Sequence, residues 1–339
     1  MDTRTLGRTD LRIPPIIFGS MARQNQSNEI RIEILRTAFE HGLTTIDTAP
    51  LYDFGNAERQ IALALDSGHH HEVQIFTKVG LRWDAGDYGE VMFEFTKADG
   101  ERGAVRKDSR PESVRWEVEQ SLARLRVESL DLVQIHQADV QTPIDESMCA
   151  LLDLRAEGKI RHIGVSNFSS VQVIAAQQAL GDVPLASVQP EYNLVRRGIE
   201  GALLPLCIEH CIGVLAYSPL AEGVLSERLK PGLSPRISKV IKQILLPISA
   251  RHNVSPSAVA LAWVYSQPGI SAAICGASTP TQVIELSAAL KLELSDAEWE
   301  ELSTKFARTP LADAWREPGG LTRRARRFAG RILRRLGSV

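Results

Sequence analysis

The sequence lacks the features of a protein that enters or crosses a membrane. Its 339 residues contain no run of about 18 apolar side chains, so we expect no transmembrane helix. Residues 1–7 have neither the basic segment nor the apolar core of a secretory signal. The four cysteines fall in segments whose pattern predicts helices or strands, and they form no disulfide framework. These absences predict a cytoplasmic protein with reduced thiols.

The sequence also offers little for binding a metal ion. Cys207 and Cys211 are four residues apart with His210 beside them, but two thiols on one predicted helix are a weak signal. We interpret both as structural free thiols and predict no metal site.

The net charge of −2 conceals two oppositely charged parts. Residues 322–339 contain seven arginines and no acidic residue, so the remainder holds 32 basic and 41 acidic side chains, a charge of −9. We predict a main domain over residues 1–310 and a C-terminal extension over 311–339 that forms an Arg-rich amphipathic helix. The apolar face of this helix would consist of Leu321, Ala325, Phe328, Ile332 and Leu336.

Three roles are open for this basic extension. It could pack on the acidic body, bind an anionic partner or membrane surface, or cover the substrate pocket as a lid. Nucleic acid is not an expected partner, because the negative charge of the body would oppose it.

Strand and helix patterns alternate along most of the chain. The strands are short and apolar on both faces, as a covered parallel sheet requires, and residues 4–14 predict a small hairpin before them. Eight strand–helix units fit an α/β fold of the (β/α)8, or TIM, barrel type. A doubly wound open sheet is the alternative. It would need a Gly-rich phosphate turn after the first strand, and residues 18–22 do not form one.

Each predicted strand ends in small or polar residues. In a barrel, the carboxyl ends of the strands meet on one rim, where such folds carry their chemistry. Taken singly, these residues could instead cap helices or lie in solvent. The strand-end residues are Gly19 and Ser20, Asp47, Lys78, His136, Ser166 and Asn167, Gln189, Tyr217 and Ser218, and Gly276.

Four side chains on this rim could together reduce a carbonyl group. A tyrosine hydroxyl with its ordinary pKa of about 10 is a poor acid at neutral pH, but an adjacent Lys78 ammonium would lower the pKa of Tyr52. Asp47 would hold that ammonium in place, and a neutral His136 could polarise the carbonyl oxygen. Tyr52 would then supply the proton while a cofactor supplies the hydride.

Six motifs in order along the chain resemble the signature of the aldo-keto reductase family. They lie at residues 46–58, 76–78, 131–136, 164–168, 189–193 and 216–220, and the resemblance extends over about residues 4–305. It implies an NAD(P)H-dependent enzyme that transfers a hydride to an aldehyde, ketone or sugar carbonyl. It also implies that Asp47, Tyr52, Lys78 and His136 form a catalytic tetrad with Tyr52 as the general acid.

The resemblance implies that the cofactor lies extended along the rim, without a Rossmann fold. Ser166, Asn167 and Gln189 would hold the nicotinamide carboxamide, and Tyr217 would stack on the ring. The other residues expected to contact the cofactor are Gly19, Ser20, Met21, Asp47, Ser218, Leu220, Gly223, Gly276, Ser278, Gln282 and Glu285.

The adenosine end departs from the family pattern. Gly276, Ser278 and Gln282 stand where the family usually carries Lys or Arg to bind the 2′-phosphate of NADP. We expect NADPH/NADP+ from the family's habit, with NADH/NAD+ as the alternative. Glu222 is also unusual, because a carboxylate beside the cofactor pyrophosphate is unfavourable unless it points to water.

A long charged insertion, residues 81–110, follows Lys78. In the family such loops wall the substrate pocket, so Trp83 and Tyr88 are candidates for contacting a small carbonyl or sugar substrate, Trp83 together with Tyr52 and His136. A plain surface loop is the alternative. Two other functions stay open: an NAD-dependent sugar or alcohol dehydrogenase, and a cofactor-sensing regulatory subunit with incidental turnover.

Overall fold

The computed structural model describes residues 3–21, 26–66, 73–84, 86–96, 100, 102–226 and 235–307. The predicted extension over 311–339 lies outside these residues, so the division at residue 310 stays a prediction. No helix among the described residues has the length and apolarity needed to cross a membrane. The strands, in chain order, are β1 (Arg4–Thr5), β2 (Arg12–Ile13), β3 (Ile16–Gly19), β4 (Thr45–Asp47), β5 (Gln74–Val79), β6 (Leu81–Arg82), β7 (Val91–Thr96), β8 (Arg102–Lys107), β9 (Leu130–Ile135), β10 (Ile160–Ser166), β11 (Leu185–Gln189), β12 (Gly213–Tyr217) and β13 (Ala272–Cys275).

Eight parallel strands close into a barrel, which confirms the predicted (β/α)8 fold. The order around the barrel is β3, β4, β5, β9, β10, β11, β12 and β13, and β13 pairs with β3 to close it. At the rim, Gly19 of β3 pairs with Asp47 of β4. The chain order of the strands is therefore their spatial order, as right-handed crossovers through helices produce.

Helices follow the strands and cover the outside of the barrel. Several begin at caps that the sequence shows: Ser27, Ser255 and Thr279 each accept a bond from an amide in the first turn, and Ser169 forms a capping box with Gln172. A π-helical turn, Ile241–Leu245, joins two short helices, Pro235–Val240 and Leu246–His252. The helices are α1 (Asn28–Glu40), α2 (Asn56–Leu65), α3 (Pro111–Leu125), α4 (Ile144–Ala156), α5 (Ser170–Leu180), α6 (Leu203–Glu209), α7 (Pro235–Val240), α8 (Leu246–His252), α9 (Pro256–Tyr265), α10 (Pro280–Ala289) and α11 (Asp296–Ala307).

The lumen of the barrel is filled from its lower end by the predicted N-terminal hairpin. Strands β1 and β2 pair antiparallel, and Leu6, Leu11 and Ile13 pack fully buried against inward side chains such as Phe76 and Leu132. Side chains alternate along a strand with a period of two. The next inward positions on β5 and at the end of β9 therefore lie above this apolar plug. The side chains at these positions are polar.

The insertion after Lys78 is a folded sheet, not the polar loop expected from its charge. Strands β6, β8 and β7 form an antiparallel sheet of three. Phe93 and Phe95 alternate with exposed residues on β7 and bury themselves against Leu51, Leu81 and Val105. The period-two pattern over Val91–Thr96 was present in the sequence, but the surrounding charged residues concealed it.

Candidate active site

The structure brings the four predicted catalytic side chains together on the barrel rim. Lys78 lies on β5 and is 1% exposed. Its Nζ is 2.6 Å from Asp47 Oδ2, at the end of β4, and 3.3 Å from the Tyr52 hydroxyl. The carbonyl of Thr48 accepts its third bond at 2.9 Å. All three donors of the ammonium are therefore used, which fixes its position beside the phenol.

A tight left-handed turn presents Tyr52 to Lys78. Asp53, Phe54 and Gly55 all have positive φ, and Gly55 N donates to Pro50 O at 2.7 Å. Only glycine adopts such a conformation readily, and at Gly55 a Cβ would also lie 2.8 Å from the side chain of Arg124.

Two further ion pairs fix this turn from outside. Arg31 of α1 holds Asp53 at 2.6 Å. Glu58 of α2, fully buried, accepts from Arg124 Nε at 2.6 Å and from the Thr77 hydroxyl at 3.0 Å. The turn that carries Tyr52 is thus tied to the two helices beside it and to the strand that carries Lys78.

At neutral pH, the electrostatics of the site leave one side chain charged and another uncharged. Burial alone would lower the pKa of Lys78, but Asp47 and Tyr52 outweigh it and raise that pKa, so the ammonium stays charged. Burial and the nearby Lys78 cation hold the pKa of His136 well below its ordinary value. The His136 ring is therefore a neutral imidazole, with its centroid 6.1 Å from that of Tyr52.

Predicted nicotinamide-binding residues form one hydrogen-bonded chain that ends on the tetrad. The Tyr217 hydroxyl donates to Asn167 Oδ1 at 2.9 Å, and Asn167 Nδ2 donates to Ser166 Oγ at 3.0 Å. Ser166 Oγ donates to the Gln189 carbonyl at 2.9 Å. Gln189 Nε2 in turn donates to Asp47 Oδ1 at 2.8 Å. Asn167 has φ 60°, a conformation that asparagine tolerates better than most residues.

The end of β3 carries the next group of predicted cofactor residues. A Cβ on Gly276 would lie 2.7 Å from the Gly19 carbonyl, so this part of the rim must stay free of side chains. Met21 packs against Tyr52. The buried Ser20 hydroxyl has no hydrogen-bond partner among the described residues. A bare backbone groove and an unsatisfied hydroxyl fit the close approach of a polar ligand.

Strand β12 leads into the loop that carries Ser218, Leu220 and Gly223, three of the residues expected to contact the cofactor. Ser218 has φ 52°, and its carbonyl accepts from Asn193 Nδ2 at 3.0 Å. The turn continues with Gly223 N donating to Leu220 O at 2.9 Å. From the sequence, Glu222 would be unfavourable beside a pyrophosphate unless its carboxylate pointed to water. In the structure this side chain instead has a cationic neighbour. Its carboxylate lies 3.7 Å from the guanidinium of Arg196, which reduces its repulsion of an anion.

The segment predicted to bind the adenosine end of the cofactor has no basic side chain. Residues 276–290 contain no Lys or Arg. The Ser278 amide, one candidate phosphate donor, already donates to Gln282 Oε1 at 2.8 Å, and the Ser278 carbonyl accepts from Gln26 at 2.5 Å. Glu285 lies on the exposed side of α10. The Ser278 amide is therefore already occupied by a contact within the protein.

The predicted pocket residue Trp83 packs one layer away from the tetrad. It is partly buried, and its ring centroid is 5.4 Å from that of Phe54, two residues after Tyr52. Tyr88 lies under the guanidinium of Arg110, and its hydroxyl shares a hydrogen bond with Thr142. The sheet of the insertion therefore stands beside the Tyr52 turn, and substrate contact by Trp83 stays a prediction.

Sequence reasoning missed a polar layer directly under the tetrad. Gln134 is fully buried in the barrel, and its Oε1 lies 3.4 Å from Gln189 Nε2 and 3.4 Å from the Ser187 hydroxyl. Gln134 lies on β9 and His136 follows two residues later, just after the strand ends, so strand periodicity would have placed both on the inner face. This layer supports Gln189, which holds Asp47.

All four cysteines are free thiols; Cys207 and Cys275 are buried, whereas Cys149 and Cys211 are exposed. Burial raises the pKa of the Cys207 thiol to about 12, which leaves it protonated and unreactive. Among the described residues, no three His, Cys, Asp or Glu side chains converge as a metal site.

Comparison with known proteins gives one consistent family. Residues 15–307 match the model of the aldo/keto reductase family. The chain is 33% identical to the NADH-specific methylglyoxal reductase of Escherichia coli strain K12, over 86% of this chain and 94% of that protein. It is also 33% identical to a second methylglyoxal reductase of that organism, over 88% of this chain and 92% of the relative.

A solved structure agrees with the sequence comparisons. The glycerol dehydrogenase of Gluconobacter oxydans superposes with a TM-score of 0.76 at 31% identity, covering 91% of this chain and 96% of that one. The chain therefore belongs to the aldo/keto reductase family and is an NAD(P)H-dependent oxidoreductase that acts on carbonyl groups.

Proposed function

We propose that the protein reduces a small aldehyde or ketone with Tyr52 as the general acid. The observation that carries this proposal is the placement of a buried ammonium 2.6 Å from Asp47 and 3.3 Å from the Tyr52 hydroxyl. A cation at that distance favours the phenolate that remains after the proton has left, so it makes the phenol a stronger acid.

His136 has a complementary role in this proposal. A neutral imidazole donates one hydrogen bond without adding charge, so it can hold a carbonyl oxygen beside Tyr52 and polarise it. Its low pKa, caused by burial and Lys78, keeps it neutral across the physiological range. The substrate oxygen would then lie between the two rings, with Trp83 in the wall behind the Tyr52 turn.

Cofactor binding is assigned to the hydrogen-bonded chain that ends on Asp47. Ser166, Asn167 and Gln189 supply amide and hydroxyl groups that suit a carboxamide, and Tyr217 supplies an aromatic face. When bound there, the nicotinamide supplies the hydride. The remaining predicted contacts follow the rim from Gly19, Ser20 and Met21 across Gly276 and the turn of Ser218, Leu220 and Gly223.

We infer NADH as the preferred cofactor, which reverses the order expected from the family's habit. A 2′-phosphate is usually bound by charge-assisted bonds from Arg or Lys, and residues 276–290 provide neither. Ser278 and Gln282 bond to each other, and Glu285 adds a negative charge on the nearby helix. The name of the E. coli NADH-specific relative points the same way.

The relatives also suggest the substrate class. Two are named methylglyoxal reductases, so a small α-oxoaldehyde is the first candidate. The Gluconobacter structure is named a glycerol dehydrogenase, so oxidation of a small polyol is the second. Both are small, polar and oxygen-rich, and in this proposal each would present a hydroxyl or carbonyl carbon to Tyr52.

The test of the proposed chemistry is Tyr52→Phe. We expect kcat for methylglyoxal reduction to fall by at least about 10²-fold, because the proton donor is lost, while the dissociation constant for NADH changes little. Tyr265→Phe is the matched control, since that buried hydroxyl bonds to backbone carbonyls in the region of α10, outside the tetrad. Turnover that survives Tyr52→Phe would show that another group supplies the proton.

A further inference from the structure

A buried carboxyl group lies at the point where the strand carrying Lys78 leaves the barrel. Glu117 of α3 is 1% exposed, and among the described residues neither of its carboxyl oxygens bonds to a Lys or Arg nitrogen. Its Oε2 accepts from the Gly80 amide at 2.5 Å, and its Oε1 has no partner. Burying a carboxyl group with one oxygen unbonded costs free energy of folding.

Gly80 is the joint between the catalytic strand and the sheet of the insertion. It follows Lys78 by two residues, and the preceding carbonyl of Val79 accepts from His136 N at 2.8 Å. Gly80 has φ 92°, and a Cβ there would lie 2.7 Å from Ser109 Oγ. Its carbonyl accepts from Asp108 N at 3.2 Å. Both backbone groups of the joint are thus held, the amide by Glu117 alone.

A shift at Gly80 would reach the substrate side of the site. Leu81 follows directly and packs with Phe93 and Phe95 against Leu51, next to Tyr52. On the other side of the joint, the backbone amide of Ser109 donates to Asp139, three residues after His136. The position of Gly80 therefore affects the position of the insertion sheet, the wall beside Tyr52, more than it affects the position of Lys78. The Lys78 ammonium has three hydrogen-bond partners of its own.

On balance, the surroundings of Glu117 oppose its ionisation. Burial acts first and raises its pKa to about 8, while the Gly80 amide and Arg82 act in the opposite direction. Asp84 and Asp108 add to the rise. Arg82 is engaged elsewhere, since its guanidinium bonds to Asp84 at 2.7 Å and to Ser113 at 3.0 Å. The carboxyl is neutral at pH 7 and ionises in mildly alkaline solution.

We propose that Glu117 is a positioning residue for carbonyl reduction, whose neutral carboxyl holds Gly80 and the insertion sheet in place until its ionisation loosens that wall. An anion at this site has no partner for Oε1 and draws water toward the joint. The wall would then close less well on the substrate, while the tetrad, fixed by its own bonds, would keep its chemistry. Alkaline solution should therefore raise KM and spare kcat.

Glu117→Gln separates the charge from the hydrogen bond. Its amide oxygen can still accept from Gly80, but it does not ionise. With methylglyoxal and NADH, we expect the KM of the unmodified enzyme to rise several-fold between about pH 7 and pH 9.5, and that of Glu117→Gln to stay flat. Glu117→Leu, which leaves the Gly80 amide without an acceptor, should show the raised KM already at pH 7. Glu119→Gln, an exposed residue of the same helix paired with Lys159, is the control and should keep the pH profile.

Two kinetic results would overturn the proposal: an alkaline rise in KM that persists unchanged in Glu117→Gln, or an unaltered KM at pH 7 in Glu117→Leu. Because the kinetic test rests on the proposed function, a second measurement avoids turnover. Infrared difference spectra of the apo-protein between about pH 6 and pH 9.5 should show the loss of one protonated carboxyl band, absent in Glu117→Gln. Without that band the buried acid is not neutral, whatever substrate the enzyme uses.

Discussion

Replacing Lys78 by methionine should separate the chemical role of this side chain from its role in stability. The ammonium lies 3.3 Å from the Tyr52 hydroxyl, where a cation and a phenolate attract by about 5 kcal/mol at an effective dielectric constant of about 20. The variant loses that attraction as the proton leaves Tyr52. Since about 1.4 kcal/mol corresponds to a factor of ten, kcat should fall by roughly 10³- to 10⁴-fold.

Stability should fall for a different reason. Lys78→Met leaves the Asp47 carboxylate, 2% exposed, with only Gln189 as a hydrogen-bond donor among its described contacts. Removing one partner of a buried ion pair costs about 3–5 kcal/mol. Adding Asp47→Asn removes the stranded charge, so the double variant should regain most of that free energy of unfolding while kcat stays low.

The two effects can be measured on the same samples. Single-turnover absorbance at saturating NADH and methylglyoxal reports the chemical step, and urea unfolding followed by circular dichroism reports stability. If Lys78→Met keeps kcat within tenfold, the cation does not activate Tyr52. If the double variant recovers turnover together with stability, the loss in Lys78→Met came from a distorted site.

Two further predictions concern the cofactor and the buried acid. Gln282→Arg should bring a guanidinium to the adenosine end and tighten NADPH binding by about 10-fold or more, as one charge-assisted bond allows; intrinsic Trp fluorescence titrations should show NADH affinity changed far less, and equal gains for both would argue against a 2′-phosphate contact. Glu117→Gln should change the pH dependence of stability. The folded-state pKa of about 8 lies above the unfolded value, so the stability that the neutral acid contributes is fully present below the unfolded pKa and is lost as pH rises toward 8. The variant lacks this loss, so its gain in unfolding free energy over the unmodified protein should grow by about 1.4 kcal/mol per pH unit between about pH 5 and pH 8. A gain that is independent of pH would mean that Glu117 does not titrate there.

The sequence predicted the barrel, and the meeting of four polar side chains on its rim, because both depend on local patterns. The apolar runs, the Ser and Thr caps and the strand-end residues are visible without any tertiary contact, and parallel strands bring their ends to one rim by topology alone. Asp47 and Lys78 could therefore be paired although 31 residues separate them.

Features that depend on burial were harder to predict. Glu117 shares the buried face of its helix with Val114 and Ser121, so its spacing places it inward, but the sequence does not show that it would meet the Gly80 amide there. The insertion sheet was missed because Phe93 and Phe95 stand among residues that predict a polar loop. Gln134 could have been found from its spacing to His136, but its use depends on Gln189, which lies 55 residues away.

The contacts of Asp47 limit what this residue can do in the reaction. Its Oδ2 accepts from Lys78 at 2.6 Å and its Oδ1 from Gln189 at 2.8 Å, so both oxygens are engaged by side chains that the barrel holds. Gln189 is itself supported from below by Gln134, in a layer that closes the lumen above the apolar plug. A carboxylate fixed in this way orients the ammonium and balances its charge. We infer that Asp47 acts through Lys78 as a positioning residue, while Tyr52 carries the proton.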